Sequence, residues 1–129
     1  MAKFSKEIVS FLIQVGANDD LRIGMVPKSD SCGQPGDILF FRYKLGSGKG
    51  SRAYRILLLT EPVTKDAKTG NLLLTGFKVP EDGSYSPDSL ETLYNNSELP
   101  QEGYRTYIMS NIFGPLRKIS KKNPDEVEQ

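Results

Sequence analysis

Hydrophobic residues near the start of the chain recur with the period of an α-helix. They are Phe4, Ile8, Phe11, Leu12 and Val15. Polar and charged residues fill most positions between them, which predicts an amphipathic helix over residues 3–15 that ends at Gly16. The next apolar residues, within 21–25, alternate with Arg22 and Gly24. That period of two is typical of a short, half-buried β-strand.

A stronger strand signal follows a turn. Pro35 and Gly36 suit the central positions of a type II turn, and an apolar run begins directly after Asp37. One set of alternate positions in this run is apolar throughout, and the other changes from apolar to basic. The first set is Leu39, Phe41, Tyr43 and Leu45, and the second is Ile38, Phe40, Arg42 and Lys44. The pattern predicts a strand in a small curved sheet.

Two more apolar runs, 53–60 and 72–79, are separated from this strand and from each other by loops that contain glycine or proline. Three strands joined in this way predict an antiparallel meander rather than β–α–β units. The sequence Asp88-Ser89-Leu90-Glu91 then fits a helix capping box after Pro87. It predicts a short helix before the last part of the chain.

The closing segments predict two more strands, 104–109 and 116–119, on either side of a turn at 111–115. The fold class is therefore mainly β (α+β), a small SH3-like or OB-like antiparallel barrel with an N-terminal helix and one short helix before the last strands. A meander sheet packed against a helix is the alternative. No linker or repeat divides the chain, so we expect one domain over 1–119 and a charged, flexible tail over 120–129.

Composition excludes much enzyme chemistry. The chain has 129 residues, 37% hydrophobic and 26% charged, which is ordinary for one globular domain, and it has no histidine. Catalytic triads, Cys–His dyads and HExxH zinc sites are therefore excluded. The single cysteine, Cys32, excludes an internal disulfide, and its turn-rich neighbourhood predicts an exposed, reduced thiol. We expect no secretion and no membrane insertion, because no signal peptide and no long apolar run is present.

Charge is segregated although the net charge is only +1. Residues 33–80 carry eight basic and three acidic residues, whereas residues 81–100 carry five acidic and no basic residues. No acid lies between Asp37 and Glu61, where cations are interleaved with aromatic residues. Phosphates require several cations, and bases stack on aromatic rings. The predicted nucleic-acid-binding residues are Arg42, Lys44, Lys49, Arg52, Arg55, Tyr43 and Tyr54.

The geometry of that hairpin decides between two interpretations. If Arg42, Lys44 and Arg55 project from one face of the paired strands, they form a basic stripe that Lys49 and Arg52 extend along the loop. The competing interpretation is a solvated face whose cations are neutralised by nearby acids. Those acids are Glu81, Asp82, Asp88 and Glu91.

Other motifs carry weaker signals. The run GSGKGS at 46–51 fails the phosphate-loop pattern, because Lys49 is followed by Gly50 and a strand follows instead of a helix. Paired acids occur at Asp19-Asp20, Glu81-Asp82 and Asp88/Glu91, but acids at loops and helix starts serve solvation and capping. We therefore predict no catalytic residue, no metal and no cofactor, with a small metal-dependent nuclease as a minor alternative.

Four motifs occur in order along the chain: PGDILFFRY at 35–43, RILL at 55–58, GFK at 76–78 and YRTY at 104–107. Over residues 35–119 this layout resembles small, uncharacterised proteins of tailed bacteriophages, and the resemblance implies a phage source and an SH3-like fold. We predict a non-enzymatic phage accessory protein that binds DNA or RNA through residues 42–55, in the host cytoplasm or the virion. The alternative is a virion or assembly component that binds a phage structural protein or a host protein.

Overall fold

The structure, a computed structural model, describes residues 6–17, 21–44, 54–80 and 84–121. The described residues form two α-helices, seven β-strands and two 3₁₀ turns, at Gln101–Gly103 and Met109–Asn111. In chain order the helices and strands are α1 (Lys6–Ala17), β1 (Leu21–Val26), β2 (Ile38–Tyr43), β3 (Tyr54–Leu59), β4 (Thr64–Lys65), β5 (Leu72–Lys78), α2 (Pro87–Asn95), β6 (Tyr104–Ile108) and β7 (Ile112–Lys121).

The seven strands form one antiparallel sheet in the order β1-β7-β2-β3-β5-β4, and β6 pairs with the other edge of β5. The predicted meander is confirmed, because β2, β3 and β5 are successive neighbours. The last strand, β7, returns to lie between β1 and β2. Among the described strands no pairing joins β1 to β6, so the sheet is not closed.

The sheet is strongly curved, even though it is open. Two strands separate β2 from β6, which corresponds to roughly 14 Å in a flat sheet. Nevertheless, the rings of Phe41 and Tyr43 on β2 lie 5.5 and 4.8 Å from the ring of Tyr107 on β6. We call the side on which these rings meet the concave face. The predicted small, mainly antiparallel β domain with two helices is thus confirmed, as an open, barrel-like sheet.

The opposite side, which we call the helix face, is covered by α1 and α2. Ile38 and Phe40 on β2 pack there with Phe11 of α1 and Leu90 of α2. Successive residues of a strand point to opposite faces of the sheet. Because each face of this sheet has its own buried core, almost every residue of β2 and β3 is apolar. The concave core consists of Cys32, Leu39, Phe41, Tyr43, Leu57, Leu59, Leu74, Tyr107, Met109, Ile112 and Leu116.

Both helices differ in detail from their predictions. α1 continues through Gly16 to Ala17, and its predicted first residues, 3–5, lie outside the described part. The cap of α2 is Ser86 rather than Asp88. The Ser86 hydroxyl accepts a hydrogen bond from the Ser89 N–H, and the Ser89 hydroxyl accepts one from the Ser86 N–H. Pro87 then occupies the first helical position, where its missing N–H costs nothing.

The predicted turn at 111–115 is wrong, because β7 already begins at Ile112. Gly114 adopts a positive φ of 75°, and the pairing of β2 with β7 shifts here. Phe40 and Arg42, two residues apart on β2, face Arg117 and Phe113, four residues apart on β7. The Gly114-Pro115 pair therefore forms a bulge within the strand rather than a turn that ends it.

Two further predictions are affected by this packing. Cys32 is fully buried in the concave core, so the predicted exposed thiol is wrong. Burial raises the pKa of the thiol, which makes Cys32 a small hydrophobic core residue. Ser120 and Lys121, assigned to the tail in the sequence, belong to β7 and pair with Arg22 and Leu21 of β1; residues 122–129 lie outside the described part.

Candidate nucleic-acid interface

Three side chains from adjacent strands stand side by side on the helix face. Arg42 of β2 is paired in register with Tyr54 of β3 and with Phe113 of β7. The guanidinium carbon of Arg42 lies 5.8 Å from the centre of the Tyr54 ring and 4.9 Å from the centre of the Phe113 ring. Both distances are in the range of cation–π attraction, so the two rings hold the head group of the arginine.

The core side chain Phe40 extends this stack. Its ring centre lies 5.1 Å from that of Tyr54, and the two rings are nearly parallel, at 6°. Phe40 is only 2% exposed, whereas Tyr54, Arg42 and Phe113 are half-buried. We call these four residues the aromatic ladder. Because its members stand on strands and are anchored on the core by Phe40, the ladder is a preorganised surface rather than a loop feature.

The charge of Arg42 is stabilised by rings and not by an acid. No salt bridge joins Arg42 to any described residue, and its Nε is buried without a hydrogen-bond partner. A buried arginine nitrogen is normally paired with a carboxylate or a carbonyl oxygen. The guanidinium therefore retains a positive charge that no described carboxylate neutralises.

Two other cations lie on or next to the same face. Lys44 follows the end of β2, two positions after Arg42, and is exposed. Arg117 of β7 is paired in register with Phe40 and is half-buried. Neither forms a salt bridge with an acid in the described part of the chain. We call Arg42, Lys44 and Arg117 the basic ribbon.

Arg55 lies apart from this ribbon, so the predicted single stripe containing Arg42, Lys44 and Arg55 is not formed. Arg55 follows Tyr54 in β3 and is paired with Phe41, which places it on the concave side. Its Nη1 donates to the carbonyl oxygen of Tyr54 at 3.3 Å. Burial raises the pKa of the Tyr107 phenol, and the charge of Arg55 and its hydrogen bond to Tyr107 partly oppose that rise.

Tyr43 is a core residue. It is 6% exposed and packs in the concave core. Its hydroxyl oxygen accepts hydrogen bonds from the Ile108 N–H, at 3.1 Å, and from Nδ2 of Asn111, at 3.4 Å. The ring therefore joins β2 to the segment between β6 and β7 and offers no face for a base. Of the other predicted residues, Tyr54 belongs to the aromatic ladder, and Lys49 and Arg52 lie outside the described residues.

The structure adds two residues that the sequence did not single out. Phe113 and Arg117 fall within the segment IFGPLRK, where the Gly-Pro pair was interpreted as a turn. The available signal for these two residues was a ring and a cation four residues apart, on either side of a Gly-Pro pair that could form a bulge. Only the pairing of β7 with β2 shows that both reach the face that carries Arg42.

A second charged region lies at the opposite end of β2. There α2, β1 and β7 border an open groove of about 790 Å³, whose wall includes Asp37, Glu91, Lys118 and Lys121. Glu91 forms a salt bridge with Lys121, and Asp37 lies 3.8 Å from Lys118. Glu91 of α2 and Asp37 of the turn before β2 therefore pair with cations of this groove.

The competing interpretation, in which acids neutralise the basic face, finds no support in the described ion pairs. Glu91 is paired with Lys121 in the groove, and no salt bridge within the described residues involves Arg42, Lys44 or Arg117. Glu81 and Asp82 lie outside the described residues. In the described part of the chain the basic ribbon thus remains without an acidic partner.

Other kinds of site find little support in the geometry. Within the described ranges no three cysteine or acidic side chains converge in a way that could hold a metal ion. No helix of the described part is long and apolar enough to cross a membrane.

Comparison with known proteins adds no assignment. No protein-family model matches the chain, and no curated protein sequence is significantly similar to it. The function must therefore be inferred from the fold and from the chemistry of its surface.

Proposed function

We propose that this protein is a non-enzymatic nucleic-acid-binding protein whose basic ribbon contacts the phosphate backbone. One observation carries the proposal: three cations, Arg42, Lys44 and Arg117, lie on or beside one face of β2 and β7 without a described acidic partner. Cations that are not internally neutralised are available to replace the counterions of a polyphosphate. An accessory role in a bacteriophage belongs to the same proposal and is supported by the motif layout.

The position of the ribbon also suits this role. Arg42 is fixed by two rings, and Arg117 stands on a central part of β7, so little side-chain entropy is lost when they bind phosphate. Lys44 is exposed at the strand end and can adapt to the path of the backbone. The three cations should contribute a slope of about −2 to −3 in a plot of log affinity against log salt concentration.

Fluorescence anisotropy with labelled single-stranded DNA, duplex DNA and RNA tests the proposal. Raising the salt from about 50 to about 200 mM should weaken binding roughly 20- to 40-fold through these three contacts. The triple variant Arg42→Gln, Lys44→Gln, Arg117→Gln should lose most of that dependence. A matched triple variant removes the same charge from exposed positions elsewhere and should keep the salt dependence; it is Lys65→Gln, Lys68→Gln, Arg105→Gln.

The outcomes separate clearly. A slope that falls by two or more in the ribbon triple, but not in the matched triple, supports the proposal. Equal losses in both triples would show nonspecific attraction and overturn the assignment to this face. Absence of binding to all three probes at about 50 mM salt would overturn nucleic-acid binding itself. Circular dichroism and thermal unfolding check that both variants are folded.

A protein-binding role is the second candidate, and the first strand favours it. β1 ends the described sheet order on one side, and its residues Ile23 and Met25 are 45% and 70% exposed. An edge strand with exposed apolar side chains can accept a strand from a partner. The variant Ile23→Lys, Met25→Lys should abolish capture of a phage structural or host protein from lysate, while the ribbon triple should not affect it.

A further inference from the structure

The aromatic ladder indicates which form of nucleic acid the basic ribbon would bind. We propose that the ligand is a single-stranded polynucleotide, held by stacking of its bases on the ladder as well as by its phosphates. This inference rests on the proposed function, and it concerns a different feature of the face: the flat groups of Tyr54, Arg42 and Phe113 rather than the charges. Single strands expose the faces of their bases, whereas a duplex buries those faces within its own stack.

Planar groups lie side by side on this face. Across three adjacent strands, the order along the register is Phe113, Arg42, Tyr54, with Phe40 stacked on Tyr54 at 5.1 Å. Rings and guanidinium planes are the two kinds of protein surface on which bases stack. Three of the four members are half-buried and retain some exposed surface.

Cations and rings also alternate at short range on this face. The bulge in β7 brings Phe113 beside Arg42 and Arg117 beside Phe40, although they are four residues apart in the chain. Neighbouring strands lie about 4.8 Å apart, so a phosphate contact and a base contact are available within one or two strand widths. A strand of nucleic acid that follows the ribbon can therefore present phosphate and base to the same small surface.

The head group of Arg42 is accessible only at its tip. Arginine pairs with phosphate through two parallel N–H groups. Here Nε is buried and has no partner, so a ligand can reach only the terminal nitrogens. The guanidinium carbon lies 5.8 and 4.9 Å from the centres of the Tyr54 and Phe113 rings, so a phosphate bound by these nitrogens lies next to the aromatic ladder.

The experiment compares two single strands of equal charge, one with bases and one without, and adds a duplex and an RNA strand. Fluorescence anisotropy at about 50 mM salt measures binding of a 12-nucleotide oligothymidylate, a 12-nucleotide abasic phosphodiester, a 12-base-pair duplex and a 12-nucleotide oligouridylate. The oligothymidylate should bind roughly tenfold more tightly than the abasic strand, which corresponds to stacking of one or two bases. The oligouridylate arm distinguishes RNA from DNA as the source of the single strand.

Matched variants connect the preference to the ladder. Phe113→Leu removes a ring without changing charge and should reduce the oligothymidylate affinity to near the abasic level. Tyr104→Leu removes an exposed tyrosine from β6, remote in the strand order from the ladder, and should leave the preference unchanged. Quenching of tyrosine fluorescence on binding, seen with oligothymidylate but not with the abasic strand, is an independent sign of stacking. Thermal unfolding checks the fold of both variants.

These measurements distinguish a failure of base stacking from a failure of nucleic-acid binding as such. Equal affinity for the thymidine and abasic strands, which carry the same charge, would overturn stacking while salt-dependent binding still stood. No binding of any probe would overturn both. If Tyr104→Leu lost the preference and Phe113→Leu kept it, a different aromatic surface would be responsible and the assignment to the ladder would be overturned.

Discussion

The two faces of the β2–β3 hairpin use the same kinds of residue for different purposes. On the concave face, Tyr43 and Arg55 lie against Tyr107, and the hydroxyl of Tyr43 accepts two hydrogen bonds. On the helix face, Arg42 lies between Tyr54 and Phe113 without an acid. One face therefore has its polar groups engaged internally, and the other has planar and charged groups that a ligand can reach.

This difference shows why the basic and aromatic content of a segment does not define a binding site. Five cations and several rings fall between Asp37 and Glu61. Of those that the structure describes, strand alternation places Arg42 and Tyr54 on the helix face and Tyr43 and Arg55 on the concave side. Arg42 and Arg55 occupy neighbouring strands of one hairpin and nevertheless have different surroundings. Substitutions on the two faces should therefore have different effects on stability and on binding.

Removing a ring should affect stability far more on the concave face. Phe41 is 1% exposed and contacts the rings of Tyr43 and Tyr107, so Phe41→Ala should lower the free energy of unfolding by about 3–5 kcal/mol. Phe113 is half-buried, and Phe113→Ala should cost less than about 2 kcal/mol. Urea unfolding followed by circular dichroism measures both. Equal losses of stability in the two variants would contradict the difference in burial between Phe41 and Phe113.

Removing an arginine should affect binding only on the helix face. Arg42→Gln removes a charge and a planar group from the ladder, and should weaken binding of single-stranded DNA roughly tenfold. Arg55→Gln removes the same charge from the concave side and should change the affinity less than about twofold. Anisotropy titrations at about 50 mM salt measure the pair. A larger loss with Arg55→Gln would place the interface on the concave side.

Removing a hydroxyl should have a smaller effect, again on the concave face. Tyr43→Phe deprives the Ile108 N–H of its acceptor and should reduce the free energy of unfolding by about 1 kcal/mol. Tyr104→Phe alters an exposed tyrosine and serves as the control, with an expected change below about 0.5 kcal/mol. A neutral Tyr43→Phe would show that this hydroxyl does not contribute to the core.

The smallest effect should be a decline of stability in alkaline solution. Burial raises the pKa of the Cys32 thiol above 9.0 and of the Tyr107 phenol above 10.0. The folded state then holds protons that the unfolded state releases, so stability is complete below pH 9 and falls as the pH rises above it. Urea midpoints at pH 7, 9 and 10 measure the decline. Cys32→Ala should remove the part of this decline that begins at the lower pH, whereas Lys44→Gln should leave the decline unchanged.

Much of the fold could be predicted because its signals are local. Alternation in 38–45 and the intervening turn residues indicated β2, β3 and β5 and their meander, and helical spacing indicated α1. The errors arose where a local signal has two structural outcomes. Gly114-Pro115 suits a turn or a bulge, and the pairing with β2 selects the bulge. Cys32 follows turn residues, but the curvature of the sheet encloses it.

The candidate site was predicted only in part. Arg42, Lys44 and Tyr54 were named from one continuous segment, and the structure brings them together with Phe113 and Arg117 from β7. Partners that lie some sixty to seventy-five residues further along the chain are joined by strand pairing, which depends on long-range packing rather than on local composition. The same packing assigned Tyr43 to the core.

The sequence by itself determined the class of this domain, the alternation of its central strands and the absence of histidine chemistry, because these follow from residue type and spacing. Only the tertiary structure decided which side of each strand is accessible. The sheet has two buried faces, so alternation alone cannot tell a core position from a surface one. The curvature of the sheet buries Tyr43 and Tyr107 on the concave face, and the pairing of β7 with β2 forms the aromatic ladder on the helix face.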